Sequence, residues 1–151
     1  MVKDGAGLRP VAARSLTTDV ATGGEGGMNE TEKTMHDAPT AHTLIVHSKA
    51  LEAAGIAIAL VLRVPAPLKS IADQVIRSAS SVPANLAEGH GRNGRDRFHH
   101  WRIAYGSARE VDSHLRLLAR AGAIDPSKTE TACDLFDEVR AITWRLLHPV
   151  G

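Results

Sequence analysis

SSVPANLAEGHGR, residues 80–92, joins features that rarely share one short stretch: Pro83, the small polar pair Asn85 and Ser81, and a glycine-rich basic turn beginning at Gly89. The residues before it settle the reading. Leu68, Ile71, Val75, Ala79, Val82 and Leu86 recur at steps of three and four, the period of a helix with one apolar face. The stripe continues through Pro83. A proline inside a helix removes one backbone hydrogen bond and bends the axis. The stretch therefore predicts a kinked helix, capped at Gly89 by a residue in the left-handed conformation, followed by a turn.

The same period extends in both directions. Upstream, Leu44, Leu51, Ala54, Ile58 and Val61 form a stripe that Pro65 and Pro67 interrupt, Pro67 being suited to the first turn of the next helix. Downstream, Phe98, Trp101, Tyr105, Ala108, Val111, Leu115 and Leu118 mark a third helix from about residue 93 to 121, capped by Gly122. Asp125 and Pro126 then offer an N-cap and a first helical residue for a fourth helix carrying Ala132, Leu135, Val139, Ile142 and Leu146. No segment alternates with period two over a strand length. Four amphipathic helices joined by short turns predict an all-α, antiparallel up-down-up-down four-helix bundle over residues 41–149.

Residues 1–40 differ in kind. They hold six of the 13 glycines and no sustained apolar period. Too little surface is available there to offset the entropy of ordering, so a disordered tail is expected. GGEGG, immediately before Met28, would be encoded by purine-rich codons resembling a ribosome-binding sequence. This points to Met28 or Met35 as the start of translation, with the preceding residues an untranslated extension.

The totals bound the function. A chain of 151 residues suits one domain. With five aromatic residues, the core must be aliphatic and alanine-rich. The single cysteine, Cys133, excludes an internal disulfide and fits a reducing compartment, where a buried structural thiol is expected. The first ten residues lack the apolar segment of a secretion signal, and no apolar run approaches the roughly 20 residues of a membrane span. A soluble cytoplasmic protein is expected. A net charge of +1 does not by itself announce a nucleic-acid binder.

Two constellations stand out. Gln74, Ser78, Ser81, Asn85 and Glu88 recur at steps of four and three beside the apolar stripe of the second helix. Such short polar side chains suit either a hydrogen-bonded seam, within the bundle or between subunits, or a line that meets a ligand or RNA. Folding the second helix back on the third brings Ser78 and Ala79 level with Gly106 and Ser107, predicts close backbone packing at Gly106, and predicts an ion pair between Arg77 and Glu110. The second constellation is the turn. GHGRNG, residues 89–94, spells G-x-G-x-x-G, but it follows a helix rather than a strand, which excludes a dinucleotide fold. Its glycines, the following helix start, and Arg92, Arg95, Arg97 and Arg102 favour an anion such as a phosphate. Residues 89–109 hold five arginines and one acid. Trp101 and Tyr105 fall on the core stripe, so base stacking on them is not expected. Asp96, His99 and His100 supply no complete metal set, and Glu88 with Glu110 makes no acid pair that lacks a simpler role. No catalytic residue, metal or cofactor is assigned.

QVIRSASSVPANLAEGHGR, FHHWRIAYGSAREVDSHL and AGAI together resemble the four helix bundle protein family, also called the 23S rRNA-intervening-sequence protein family, over roughly residues 44–148. The motif positions are Gln74, Arg77, Ser81, Asn85, Glu88, Gly89, Arg92, Gly106, Ser107 and Glu110. The resemblance implies a homopentameric ring, a link to RNA and to the accessory protein of diversity-generating retroelements, and no enzyme activity. The expected function is a non-enzymatic oligomer that binds RNA or a ribonucleoprotein through the basic turn. The alternative is a protein–protein scaffold or adaptor with no nucleic-acid role; an RNA-processing enzyme using His90, His99 or Glu88 is a third class.

Overall fold

The structure is a computed structural model and describes residues 41–149; the expectations for residues 1–40 lie outside the described residues. Four helices follow in order: α1 (Ala41–Val61), α2 (Lys69–His90), α3 (Gly94–Arg120) and α4 (Pro126–Leu147), with a single 3-10 turn, Ala66–Leu68, leading into α2. There is no strand among the described residues. Helices α1 and α2, α2 and α3, α3 and α4, and α4 and α1 pack in pairs, closing a four-membered ring of helices.

Contacts between neighbouring helices show the antiparallel sense, most directly between α2 and α3. Ser107 meets Ser81, whereas the earlier His100 meets the later Asn85. Tyr105 lies beside Trp144. An ion pair joins Lys49 on α1 to Glu138 on α4. At the far end, Thr43 and His47 from the start of α1 share a cleft of about 140 Å³ with Leu86, Ala87 and His90 from the end of α2.

The helix ends follow their sequences. Asp125 accepts a hydrogen bond from the Lys128 backbone N–H at 2.8 Å, capping α4, and Pro126 occupies its first position. Gly122 closes α3 at φ +70°, while Ala123 N–H donates to Leu118 O and Gly122 N–H to Ala119 O, the paired bonds of a Schellman motif. Helix α2 runs through Pro83 without ending, and the proline is buried. The missing N–H leaves the Ala79 carbonyl without its usual partner, which is the physical origin of a bend at this point.

Two glycines act differently from expectation. Gly89 is not a left-handed cap. It lies within α2, buried, and the chain turns at Gly91 with an ordinary φ of −75°. Its role is steric: a Cβ there would stand 2.6 Å from Trp101 Cδ1, 2.7 Å from Trp101 Nε1 and 3.0 Å from Arg97 O. The indole lies directly on the α2 backbone. Gly106, expected to permit close packing, is exposed, and a Cβ there would meet nothing within 4 Å.

The phase of α1 also differs. Its buried face is Val46, Ala50, Ala53, Ala54, Ala57 and Val61, while Leu51 is 54% exposed and Ile58 only partly buried. Small side chains let α1 sit close to its neighbours, and this closeness, rather than side-chain size, decides which face turns inward. In α4 the largest buried side chain is Phe136, set among Ala132, Cys133, Val139 and Thr143.

Cys133 is buried beside Asp112. Burial, then the hydrogen bond to Asp112 and its negative charge, push the thiol from 9.0 up to about 12. For Asp112, burial works to raise the pKa, but hydrogen bonds from Arg116 and the Cys133 thiol, with the Arg116 charge, outweigh it and hold the carboxyl low.

The Gly89 contact predicts that Gly89→Ala destabilises the bundle by about 1–3 kcal/mol, the range for overpacking. Gly106→Ala should instead stabilise it by about 0.5–1 kcal/mol, because only the helix propensity changes. Chemical denaturation of the two variants beside the parent checks both signs. Cys133 should resist iodoacetamide at pH 8 in the folded protein and react fully in denaturant. Its raised folded-state pKa means that its contribution to stability is complete below the ordinary thiol value and is lost as pH climbs from 9 towards 12. That alkaline loss should be smaller in Cys133→Ala.

Candidate functional site

The turn between α2 and α3 is three residues long, Gly91 to Asn93, and Gly94 opens α3 at φ +56°. A turn this short forces the arginines around it into one small volume. Two of them are used to brace it. Arg92 donates from Nε to Glu88 Oε1 at 2.9 Å and from Nη2 to the same oxygen, and its Nη1 lies 3.6 Å from Asp96 Oδ2. The hydrogen bond and then the charge of Arg92 hold the Glu88 carboxyl below its ordinary value, and Glu88 raises Arg92 in return. Arg97 donates from Nε to Arg92 O at 2.8 Å, and its guanidinium carbon lies 5.7 Å from the centre of the Trp101 ring. These exposed contacts contribute little to global stability. They do direct two guanidinium groups back onto the protein.

Arg95 and Arg102 are exposed and have no ion-pair partner among the described residues. The expected cluster of four is therefore two bracing residues and two that face solvent. The second pair continues a line the turn-centred reading missed. Arg95, Arg102, Arg109 and Arg116 are spaced by seven residues, and Arg120 follows four later. Seven residues are close to two helical turns, with a drift of only about 20° per step. All five are exposed on α3, and at 1.5 Å per residue they span about 37 Å. Arg116 is engaged by Asp112 at 3.1 and 3.2 Å. Arg109 and Arg120 have no ion-pair partner among the described residues. Arg116 and Arg120 border a shallow groove of about 400 Å³ with Asp112, Ser113 and Leu117. The signal was present in the sequence as a heptad of arginine, but it is dispersed over 26 residues with acids between and has no local density.

The polar stripe of α2 turns towards α3. Asn85 Nδ2 donates to Ser81 O at 2.9 Å and lies 3.0 Å from Ser81 Oγ. Ser107 Oγ donates to Ser81 Oγ at 3.0 Å. With the Asn85 amide nitrogen directed at the Ser81 carbonyl, its Oδ1 faces His100 Nδ1 at 3.1 Å and must accept, so Nδ1 carries the proton. Ser78, buried, donates to the Gln74 carbonyl. Ser78, Ser81, Asn85 and Ser107 are thus satisfied within the subunit, with His100 as a member absent from the expected set. Gln74 is half-buried on the same line, and Glu88 leaves it to hold Arg92.

The expected Arg77–Glu110 ion pair does not form. Both residues are exposed on the outer margin of the seam and have no ion pair among the described residues. The helices meet through Ser81, Ser107, Asn85 and His100, and both charges stay exposed to solvent, where an ion pair would contribute little. Asp96 is paired with Arg92 and His100 with Asn85. No group of three metal-ligating side chains occurs among the described residues. No described helix is long and apolar enough to cross a membrane.

The fold and its surface can be set beside known proteins. A solved structure of a protein of unknown function from the S23 ribosomal protein family of Bacteroides thetaiotaomicron aligns with a TM-score of 0.64 and 25% sequence identity, covering 70% of this chain and 97% of that one. No curated protein matches the chain. The model of the 23S rRNA-intervening sequence protein family matches residues 42–145, which takes in all four helices and both the arginine face and the polar seam. The chain belongs to the 23S rRNA-intervening sequence protein family.

Proposed function

We propose that this protein is a non-enzymatic, self-associating bundle that binds RNA or a ribonucleoprotein through the phosphate backbone. The observation that carries the reading is the line of exposed arginines on α3. Arg95, Arg102, Arg109 and Arg120 occupy one side of a single helix without an ion-pair partner among the described residues. A row of fixed cations attracts a polyanion by neutralising phosphates and releasing their counterions, with no need to read sequence. The near-zero net charge of the whole chain is compatible with this, because these four arginines are not neutralised by ion pairs among the described residues.

Filter binding of a 20-nucleotide RNA at several salt concentrations tests it. Each phosphate contact to a single strand contributes about 0.7 to the slope of log K against log salt. Replacing Arg95, Arg102, Arg109 and Arg120 with Ala together should weaken binding and make the slope shallower by up to about 2.8. An Arg92→Ala/Arg97→Ala pair should have a smaller effect, since both side chains are turned onto the protein. Unchanged binding by the fourfold variant would remove the arginine face from the account.

Self-association is supported by α1. Within 41–61 only Lys49 and Glu52 carry a formal charge, so the helix is apolar on both faces. Its outer side exposes Ile45 and Leu51, Leu62 is exposed in the turn directly after it, and a Cβ at Gly55 would meet nothing within 4 Å. A helix apolar all round is normally covered on all sides. A second copy of the chain is the proposed cover, and a homopentameric ring is the assembly that membership of the family suggests. Repetition of the arginine face around a ring would raise avidity without new contacts. Sedimentation of the purified protein should give a mass several times that of one chain, and Leu51→Glu/Leu62→Glu should reduce it to one chain with helix content retained. A monomeric parent protein would end this part of the proposal.

A further inference from the structure

The α3–α4 edge carries a second feature beside the arginines. Trp144 is 51% exposed although the chain has only two tryptophans, and the other, Trp101, is 6% exposed. Its ring is held in place. His148 stacks on it with ring centres 3.7 Å apart and planes at 29°, and His148 Nδ1 donates to the Trp144 carbonyl at 2.9 Å. Tyr105, half-buried on α3, supports it from the other helix with ring centres 5.9 Å apart. A lone exposed aromatic is ordinary on a protein surface. One that is stacked, oriented and fixed to a neighbouring helix has already lost the rotational freedom that binding would otherwise cost.

The charges around it match. Arg102 precedes Tyr105 by three residues and Arg109 follows it by four, so both lie one helical turn from the tyrosine. Arg145, exposed, follows Trp144 directly and has no ion-pair partner among the described residues. Aromatic rings beside unpaired cations form the arrangement by which proteins hold single strands: the backbone is neutralised while a base stacks on the ring, whatever its identity. Duplex bases are already stacked on one another and cannot use it.

We infer that Trp144, held by His148 and Tyr105, is a stacking platform for an unpaired base, and that Arg102, Arg109 and Arg145 hold the phosphates on either side. The inference rests on the nucleic-acid reading above and narrows its ligand to single strands. The expectation from sequence concerned only Trp101 and Tyr105, on which no base stacks in this reading either. Trp101 is buried as expected, but the platform is built from a residue of α4 that only the tertiary fold brings to the arginine face.

The test uses the full chain with oligo(A) and oligo(U) 20-mers as RNA and as DNA, the duplex of the paired strands, and inorganic polyphosphate. Single strands should quench the emission of Trp144, while duplex and polyphosphate should not. Trp144→Ala should weaken single-strand binding at least about fivefold, the low end of the effect of removing one stacked base, with the salt slope unchanged. Trp144→Phe should keep most of the affinity and lose the quenching, which also shows that the signal does not come from Trp101. Unchanged affinity in Trp144→Ala, together with weakened binding in the fourfold arginine variant, overturns the platform and leaves the phosphate reading standing. Quenching with no effect of the arginine variant supports the platform and overturns the phosphate reading. Equal quenching by duplex, or emission that shifts with protein concentration in the absence of oligonucleotide, overturns the inference, the latter because a second copy would then cover the ring. Absence of binding to every probe ends both.

Discussion

The packing of Trp101 on Gly89 governs much of what this surface can do. The indole rests where a Cβ would otherwise be, pinning the start of α3 to the end of α2 across a three-residue turn. Phe98 supports the ring edge-on at 6.0 Å between centres, and Arg97 lies against it. Once Trp101 is fixed inward, the rotation of α3 about its own axis is fixed with it. Ala104, Ala108, Val111, Leu115 and Leu118 turn to the core, and the arginines seven residues apart turn out. A helix rotated by one residue would send that row against a neighbour. The contact between one glycine and one tryptophan thereby sets both the fold of the α2–α3 pair and the direction of its charge.

Charge on this protein is a matter of placement rather than amount. Seventeen acids nearly cancel 18 lysines and arginines over the whole chain. The acids near the turn are nevertheless used locally: Glu88 and Asp96 both hold Arg92. Asp112 holds Arg116 and, with it, the Cys133 thiol. Arg95, Arg102, Arg109 and Arg120 are left without a carboxylate among the described residues, and they are spread along the helix rather than gathered at its end. This geometry suits an extended polyanion better than a single phosphate. The polar seam beside it has the opposite character. Its hydroxyl and amide groups are consumed by one another, from Ser107 through Ser81 and Asn85 to His100. Such a chain specifies the register of two helices because each member would be left unsatisfied by a shift.

The bundle was legible in the sequence, and so were its caps at Asp125 and Gly122, because each of these depends on residues within a few positions of one another. The apolar stripes of α2 and α3 were legible for the same reason. Helix α1 was misread because an all-apolar helix has no strong period to follow. Its inward face is chosen by which side chains let neighbouring backbones come closest, and the alanines win over Leu51. Gly89 was misread as a cap because a glycine near a helix end usually supplies a positive φ. Here it supplies space for a ring twelve residues further on. The Arg77–Glu110 pair failed because side chains level along two helices need not meet when both are exposed and solvated.

The sequence by itself determined that this chain makes four helices, three of them with a clear apolar stripe, roughly where they begin and end, and that the second passes through a proline. Those outcomes follow from hydrogen bonding and side-chain period within a single helix, which are local properties. Only the tertiary structure decided which arginines face solvent, which carboxylates restrain the others, and that Trp144 stands beside them. Each of these depends on how one helix is rotated against the next, and rotation is set by close packing between residues far apart in the chain.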